Sequence, residues 1–172
     1  MSGGTISGNY ADWNGGAIYL DTESAYYRYA NLALQGGSII DNSSGGAGAG
    51  IFFGDDKSVS IADVPASGAS HLNVTGNMSY NRAANISTYG SNYVDVQTQL
   101  SDEVHVGIAI GSIKGEQFGW NVINESTGET LQNTDAFIPD NDSTLFAMNS
   151  TNEEGKATLV WGQAQCEVPE LG

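Results

Sequence analysis

The chain consists of short apolar runs separated by Gly, Asn, Asp and Ser, a pattern that predicts β-strands joined by tight turns. The runs are rich in β-branched and aromatic residues, which pack well on a pleated sheet. Windows of about twelve residues with helical periodicity, the length that an ordinary helix needs, are absent from the sequence. We therefore predict an all-β fold.

The pattern repeats about every 34 residues along the first hundred residues. Residues 1–9 align with residues 34–42, and a weaker third copy covers residues 71–77. Each copy contains an asparagine that is followed, nine residues later, by an isoleucine in a second apolar run. These pairs are Asn9 with Ile18, Asn42 with Ile51, and Asn77 with Ile86.

A repeat of this length, with two or three strands in each copy, favours a parallel β-solenoid in which every copy forms one coil. Equivalent residues then lie above one another, about 4.8 Å apart. We place the coils near residues 1–33, 34–68 and 69–100. We expect two interior apolar columns and one column of asparagines, whose amides can each donate a hydrogen bond to the next. The apolar columns are Ile6, Ile39 and Val74, and Ile18, Ile51 and Ile86; the polar column is Asn9, Asn42 and Asn77.

Residues 3–9, Gly-Gly-Thr-Ile-Ser-Gly-Asn, and residues 14–19, Asn-Gly-Gly-Ala-Ile-Tyr, resemble the repeat of polymorphic outer-membrane proteins and adhesin-like surface proteins. The resemblance covers about residues 1–100 and is strongest in the first two copies, because the third lacks the Gly-Gly pair. It implies a right-handed parallel β-helix of the pectin-lyase-like superfamily, with about three coils. It also implies an extracellular or cell-surface protein that contacts carbohydrate or a host protein. Since that superfamily includes enzymes, the fold does not decide between a binding module and an enzyme.

The pattern changes near residue 101. Residues 101–172 carry 12 acids and 2 bases, against 8 acids and 3 bases in residues 1–100. Apolar runs at residues 144–148 and 156–161 flank a polar turn and predict a β-hairpin. An uncovered solenoid end would recruit other strands. We therefore assign residues 101–165 to degenerate final coils and a capping hairpin, and residues 166–172 to a tail or linker.

The composition of the chain excludes several classes of binding partner. A net charge of −15 argues against nucleic acid, which needs clustered Lys and Arg, and against anionic membranes. No run approaches the roughly 20 apolar residues of a transmembrane helix, so we expect no membrane insertion by this segment. The single Cys166 cannot form an internal disulfide. Residues 1–5 have no leader pattern, and Met1 aligns with Leu34 inside the repeat, so we expect upstream coils in a longer parent chain.

Aromatic residues concentrate in the first coil and are candidates for ligand contact. Exposed Tyr and Trp are typical of surfaces that contact carbohydrate or protein. The alternative is that these side chains pack along the coil. The candidates are Trp13, Tyr26, Tyr27 and Tyr29.

Asp55 and Asp56 form the most suggestive acidic pair, and we add them to the candidate ligand contacts. A glycosidase needs two converging carboxylates, whereas adjacent residues of an extended chain point in opposite directions. The pair is therefore more typical of a solvated turn. His71 and His105 are 34 residues apart, which predicts that they stack on one face of the solenoid.

Asp140 and Asp142 begin a stretch that resembles the start of a calcium loop, but Leu145 and Thr151 stand where an EF-hand needs Gly and Glu. We predict no cofactor, with weak Ca²⁺ binding at the two aspartates left open. The nucleophile-elbow, metalloprotease and phosphate-loop motifs are absent from the sequence, and we name no catalytic residue.

Two functions remain. One is a non-catalytic, adhesin-like surface module that forms the C-terminal piece of a longer rod. The other is a fragment of a polysaccharide-active lyase or glycosidase. Converging acids and a base in one groove would favour the enzyme, whereas a polar lateral face with scattered aromatic residues would favour the module.

Overall fold

The structure is a computed structural model, and it describes residues 1–20, 30–54, 57–88, 92–109, 115–121, 123 and 129–163. These residues form parallel sheets stacked as a β-solenoid of three turns, which confirms the all-β solenoid expected from the repeat. The chain returns to the same point after 33 residues and then after 35, so Ile6 pairs with Ile39, and Ile39 with Val74.

Each of the first three coils contributes strands at equivalent positions. The first coil contains β1 (Ser2–Ser7), β2 (Tyr10–Ala11), β3 (Ile18–Leu20) and β4 (Ala30–Leu34). The second contains β5 (Gly36–Ile40), β6 (Ser43–Ser44), β7 (Ile51–Phe53) and β8 (Lys57–Ile61). The third contains β9 (Asn73–Thr75), β10 (Met78–Ser79), β11 (Arg82–Ala83), β12 (Ile86–Thr88) and β13 (Val94–Val96).

The remaining elements complete the stack and cover its end. They are β14 (His105–Ile108), β15 (Gln117–Asn121), a 3₁₀ turn at Thr134–Ala136, β16 (Phe137–Pro139), β17 (Leu145–Thr151) and β18 (Ala157–Gln163). The first sheet runs β1-β5-β9-β14-β12-β7-β3, with β16 also paired to β14. The second sheet runs β2-β6-β10-β11, and the third runs β4-β8-β13-β15-β18-β17.

Columns of apolar side chains fill the interior. Ile51 pairs with Ile18 on one side and Ile86 on the other, as the nine-residue spacing predicts. Ile51 and Ile86 are fully buried. Removing a side chain of this size from water contributes about 1.5–3 kcal/mol, so these columns supply the main driving force for stacking.

After the three full turns the chain adds a shortened one, which begins with β14 and which we call the fourth coil; it lacks the corner that the first three coils have. Val106 pairs with Val74 and Ile108 pairs with Ile86, so β14 continues both stacks in a single strand. Val74 and Ile86 are 12 residues apart in the sequence, whereas Val106 and Ile108 are only two apart. Gly107 lies between them and is buried. The chain therefore crosses directly from one stack to the other, without the intervening loop.

The end of the solenoid is covered by an antiparallel hairpin, β17–β18, in which β18 also pairs antiparallel with β15. This change of direction ends the parallel stacking of the third sheet. Trp161 on β18 is fully buried and stacks on Phe118, with ring centroids 4.2 Å apart. The hairpin therefore closes the core with aromatic side chains.

Candidate binding surface on the corner arm

The asparagines that begin the three corners form one hydrogen-bonded column. Nδ2 of Asn9 donates to Oδ1 of Asn42 at 2.9 Å, and Nδ2 of Asn42 donates to Oδ1 of Asn77 at 2.9 Å. The same two oxygens also accept the backbone N–H groups of Asn9 and Asn42, each at 3.1 Å. Asn42 and Asn77 are buried, so the column satisfies polar groups that water cannot reach.

The column continues through two residues that the repeat does not predict. Asn77 donates its side-chain amide to Oδ1 of Asn85 at 2.8 Å. Asn85 donates its side-chain amide to Oδ1 of Asp140 at 2.7 Å and its backbone N–H to Oδ2 at 2.6 Å. The register of the isoleucines aligns Asn85 with Gly50, so an amide in place of a glycine was the available signal.

Asp140 ends the column as an acceptor. Burial of its carboxyl raises the pKa of Asp140 above its ordinary value, and the hydrogen bonds from the Asn85 side chain and backbone oppose that rise. Asp142 lies nearby but serves a local turn, because its Oδ1 accepts from N and Oγ1 of Thr144. Those Thr144 hydrogen bonds lower the pKa of Asp142.

The loops that follow the three asparagines, residues 10–16, 43–49 and 78–84, stack on one another, and we call them the corner arm. Its small sheet aligns Tyr10 with Ser43 and Ser43 with Met78. At its far end, β10 and β11 form a hairpin whose two turn residues, Tyr80 and Asn81, have positive φ values of 45° and 64°. Positive φ at both positions is typical of a tight hairpin turn.

Three large aromatic side chains are exposed on the corner arm. Tyr10 is 67% exposed, Trp13 is 82% exposed and Tyr80 is 80% exposed. A hydrogen bond with Asp12 raises the pKa of Tyr10. The asparagine column anchors the base of the arm, so these side chains are presented from an ordered support.

A cleft of about 550 Å³ lies beside the third corner, where the fourth coil has no loop. The arm contributes Ser79, Tyr80 and Arg82 to it, and Ser87 and Asn141 complete its polar lining. The side chain of Arg82 is exposed, and its guanidinium makes no ion pair or hydrogen bond with the described part of the chain. The arm therefore offers a cationic group and an aromatic ring beside one another.

Of the ligand residues predicted from the sequence, one lies among the residues that the structure describes. Trp13 lies on the corner arm. Tyr26, Tyr27, Tyr29, Asp55 and Asp56 lie outside the described residues, and their roles stay predictions.

The repeat and the motifs of the sequence do not point to Tyr80 or Arg82 as site residues. The apolar-polar alternation around the Tyr80-Asn81 pair was the only signal for a hairpin there. The described residues contain no group of three or more His, Cys, Asp or Glu side chains placed to hold a metal ion. Weak Ca²⁺ binding at Asp140 and Asp142 stays a prediction.

A Ser-His-Asp cluster occurs away from the arm, but its geometry does not suit catalysis. Nδ1 of His71 lies 2.6 Å from Oδ1 of Asp63 and 3.1 Å from Oγ of Ser101. A catalytic triad needs the serine and the aspartate on opposite ring nitrogens. Here both share Nδ1, so the cluster joins loops of successive coils.

The cluster shifts both pKa values in the directions expected of a pair. The hydrogen bond to Asp63 raises the pKa of His71. Burial alone would raise the pKa of Asp63, but hydrogen bonds from Ser101 and His71 outweigh it and the pKa is lowered. The predicted stacking of His71 on His105 is wrong, because His105 pairs with Asn73 and the third coil is two residues out of step at this point.

Comparison of the chain with protein-family models, curated proteins and solved structures gives no match. The resemblance carried by residues 3–9 and 14–19 therefore stays a prediction. No helix in the described ranges is long and apolar enough to cross a membrane.

Proposed function

We propose that the chain is a non-catalytic, adhesin-like module of an extracellular or cell-surface rod, whose corner arm contacts glycans or proteins. The observation that carries this proposal is the exposure of Tyr10, Trp13 and Tyr80 on one anchored arm. Aromatic rings bury a large area at a small cost in side-chain entropy, which makes them frequent centres of binding surfaces. On this view the coils serve as a scaffold and the arm makes the contacts.

The cleft beside the arm supports the same assignment. Arg82 can donate several hydrogen bonds in one plane, and Tyr80 offers a ring face next to it. Hydroxyl and amide groups from Ser79, Ser87 and Asn141 add short-range donors and acceptors. A ligand with both polar groups and an apolar face, such as a sugar ring or an aromatic peptide side chain, fits this lining.

A panel of neutral glycans, polyuronates and extracellular-matrix proteins tests the proposal, scored for binding and for chain cleavage. We expect binding without cleavage, weakened about tenfold or more by Trp13→Ala or Tyr80→Asn. Asparagine tolerates the positive φ of Tyr80, so the second variant keeps the turn. Phe146→Ala is the matched control, because Phe146 is 44% exposed on the capping hairpin, away from the arm.

The alternative function makes a different prediction in the same assay. A fragment of a lyase or glycosidase would shorten a polysaccharide, and that activity would disappear when Asp55 and Asp56 are substituted. Cleavage with this dependence would overturn the non-catalytic proposal. If binding is unchanged in every variant of the corner arm, the arm is not the surface that contacts the ligand.

A further inference from the structure

The first coil presents four strand edges on one end of the solenoid. Within the described residues, β1 and β3 are the two end strands of the first sheet, and β2 and β4 are end strands of the second and third sheets. Each has a strand of the second coil on one side and no strand on the other. An edge of this kind exposes backbone N–H and C=O groups that can pair with a further strand.

Apolar side chains at this end are incompletely covered. Four interior residues of the first coil are only partly buried, although their partners in the second coil are fully buried. A further coil would cover them in the way that each coil covers the next. The pairs, first coil before second, are Ile6 and Ile39, Ile18 and Ile51, Leu20 and Phe53, and Leu32 and Val59.

The side-chain hydrogen bonds of the asparagine column all run in one direction, so the two ends of the column differ. Every amide in the column donates toward the cap, from Asn9 to Asn42, to Asn77 and then to Asn85. Each of the last three therefore has its Oδ1 filled by the residue before it. Oδ1 of Asn9 accepts no hydrogen bond from the described part of the chain. Among the described residues, the first coil thus ends in an exposed acceptor that receives no donor from the chain, whereas Asp140 at the other end of the column has no amide to donate.

A second copy of the chain does not complement this end. Two first coils placed face to face would bring two Asn9 acceptors together. A first coil placed on the opposite end would meet the β17–β18 hairpin, whose strands run antiparallel to their neighbours. The matching partner must carry an N–H and an amide NH₂ at its corner and strands parallel to β1 and β3.

We propose that the end formed by the first coil is a docking surface for a preceding coil of the same repeat, whose corner asparagine donates to Oδ1 of Asn9. This inference rests on the rod role proposed above and specifies how the rod is joined. It requires a coil with the polarity of residues 34–68, in which the position of Asn42 supplies both donors. The surface selects its partner by the direction of hydrogen bonding as well as by apolar area.

The experiment adds such a coil to the whole chain. A second copy of residues 34–68 is placed directly before Met1, so that its Asn42 faces Asn9. We expect one cooperative melting transition, raised by roughly 5 °C or more, and resistance of the added segment to protease. In the added copy, Asn42→Asp keeps the acceptor but loses the amide donor and faces Asn9 with another oxygen, so the rise in melting temperature should vanish.

The control is Asp41→Asn in the added copy, at an exposed neighbouring position with positive φ, which should keep the rise. An added coil that is digested while the melting temperature stays at its original value would overturn the proposal. So would an Asn42→Asp copy that stabilises as well as asparagine, or a dimer of the unextended chain that Ile18→Lys dissolves. The glycan and protein panel is scored separately on the unextended chain, so either proposal can fail alone.

Discussion

At the scale of single residues, the asparagine column depends on a side chain that donates and accepts at once. Each buried Oδ1 accepts two hydrogen bonds. Nδ2 donates to the next asparagine of the column and to backbone carbonyls, which for Asn42 are those of Ile40 in its own coil and Ile6 in the preceding coil. A net gain of about 0.5–1.5 kcal/mol for each bond is modest, whereas an orphaned buried partner is costly. The column therefore resists substitution at its centre.

Asn42→Ala should lower the free energy of unfolding by about 1–3 kcal/mol, because it leaves the N–H of Asn9 and the carbonyl of Ile40 without a partner. Denaturant unfolding followed by circular dichroism measures the loss. Asn31→Ala is the control, since Asn31 is exposed on β4. Equal stability of the two variants would contradict the structural role of the column.

Asp140→Asn should change the pH dependence of stability. Burial raises the pKa of Asp140 above the unfolded value of about 3.9, so its stabilising contribution is full below that pH and is lost as the pH rises through the folded pKa. An asparagine can accept both Asn85 bonds on one oxygen, as Asn42 and Asn77 do, without titrating. The variant should therefore lose less stability than the wild type as the pH rises above the unfolded pKa of the carboxyl group.

Asp142→Asn is the control, because we expect it to change the pH dependence of stability in the opposite direction. Hydrogen bonds from Thr144 lower the pKa of Asp142, so its contribution is present above the unfolded pKa and is lost as the pH falls through the folded pKa. Unfolding curves recorded at several pH values compare the two variants. The same slope for both variants would contradict the assignment of Asp140 as the partly buried end of the column.

At the scale of elements, the fourth coil differs from the others by the loss of one loop. Asn85 and Asp140 meet over Gly107, in the space that a corner would otherwise fill. A Cβ at residue 107 would fall on the amide nitrogen of Asn85 and 2.5 Å from Oδ1 of Asp140. The direct crossing of β14 therefore requires a residue without a side chain.

Gly107→Ala should destabilise the protein by about 1–3 kcal/mol, because the added methyl group displaces the Asn85–Asp140 contact. Thermal melting measures the effect. Gly119→Ala is a matched control in β15, the next strand along the chain, where the nearest atom to the new Cβ is 3.2 Å away. A smaller loss for Gly107→Ala than for Gly119→Ala would show that the crossing tolerates a side chain.

The repeat predicts the solenoid and its coils, because the spacing alone aligns Ile18, Ile51 and Ile86 and assigns one coil to each copy. The spacing does not reveal that Asp140 belongs to the asparagine column. Asp140 lies 55 residues beyond Asn85 in the sequence, and the two side chains meet only when the chain is folded. Tyr80 was missed for a local reason: its exposure depends on positive φ, which no hydrophobic pattern reports. Spacing therefore predicts stacking well and predicts long-range closure poorly.

At the scale of the whole molecule, the two ends of the solenoid have different chemistry. One end is formed by open strand edges and partly covered isoleucines. The other is covered by a hairpin that places Trp161 against Phe118. Stability of the second end should therefore depend on aromatic packing in the cap.

Trp161→Ala should lower the free energy of unfolding by about 3–5 kcal/mol, because it leaves a large cavity beneath the hairpin. Loosening of the hairpin should also expose β15 to other chains, so sedimentation velocity should detect association. Phe146→Ala removes an aromatic residue from the outer side of the same hairpin and should change neither property by much. A monomeric Trp161→Ala protein of unaltered stability would contradict the capping role.

The net charge of −15 bears on the open strand edges of the first coil. Two copies of the chain carry the same large negative charge and repel one another, which opposes non-specific pairing between their exposed edges. Dissolved salt screens this repulsion. We therefore expect the charge to keep copies of the chain dispersed in solution, so that colloidal stability falls as salt is added.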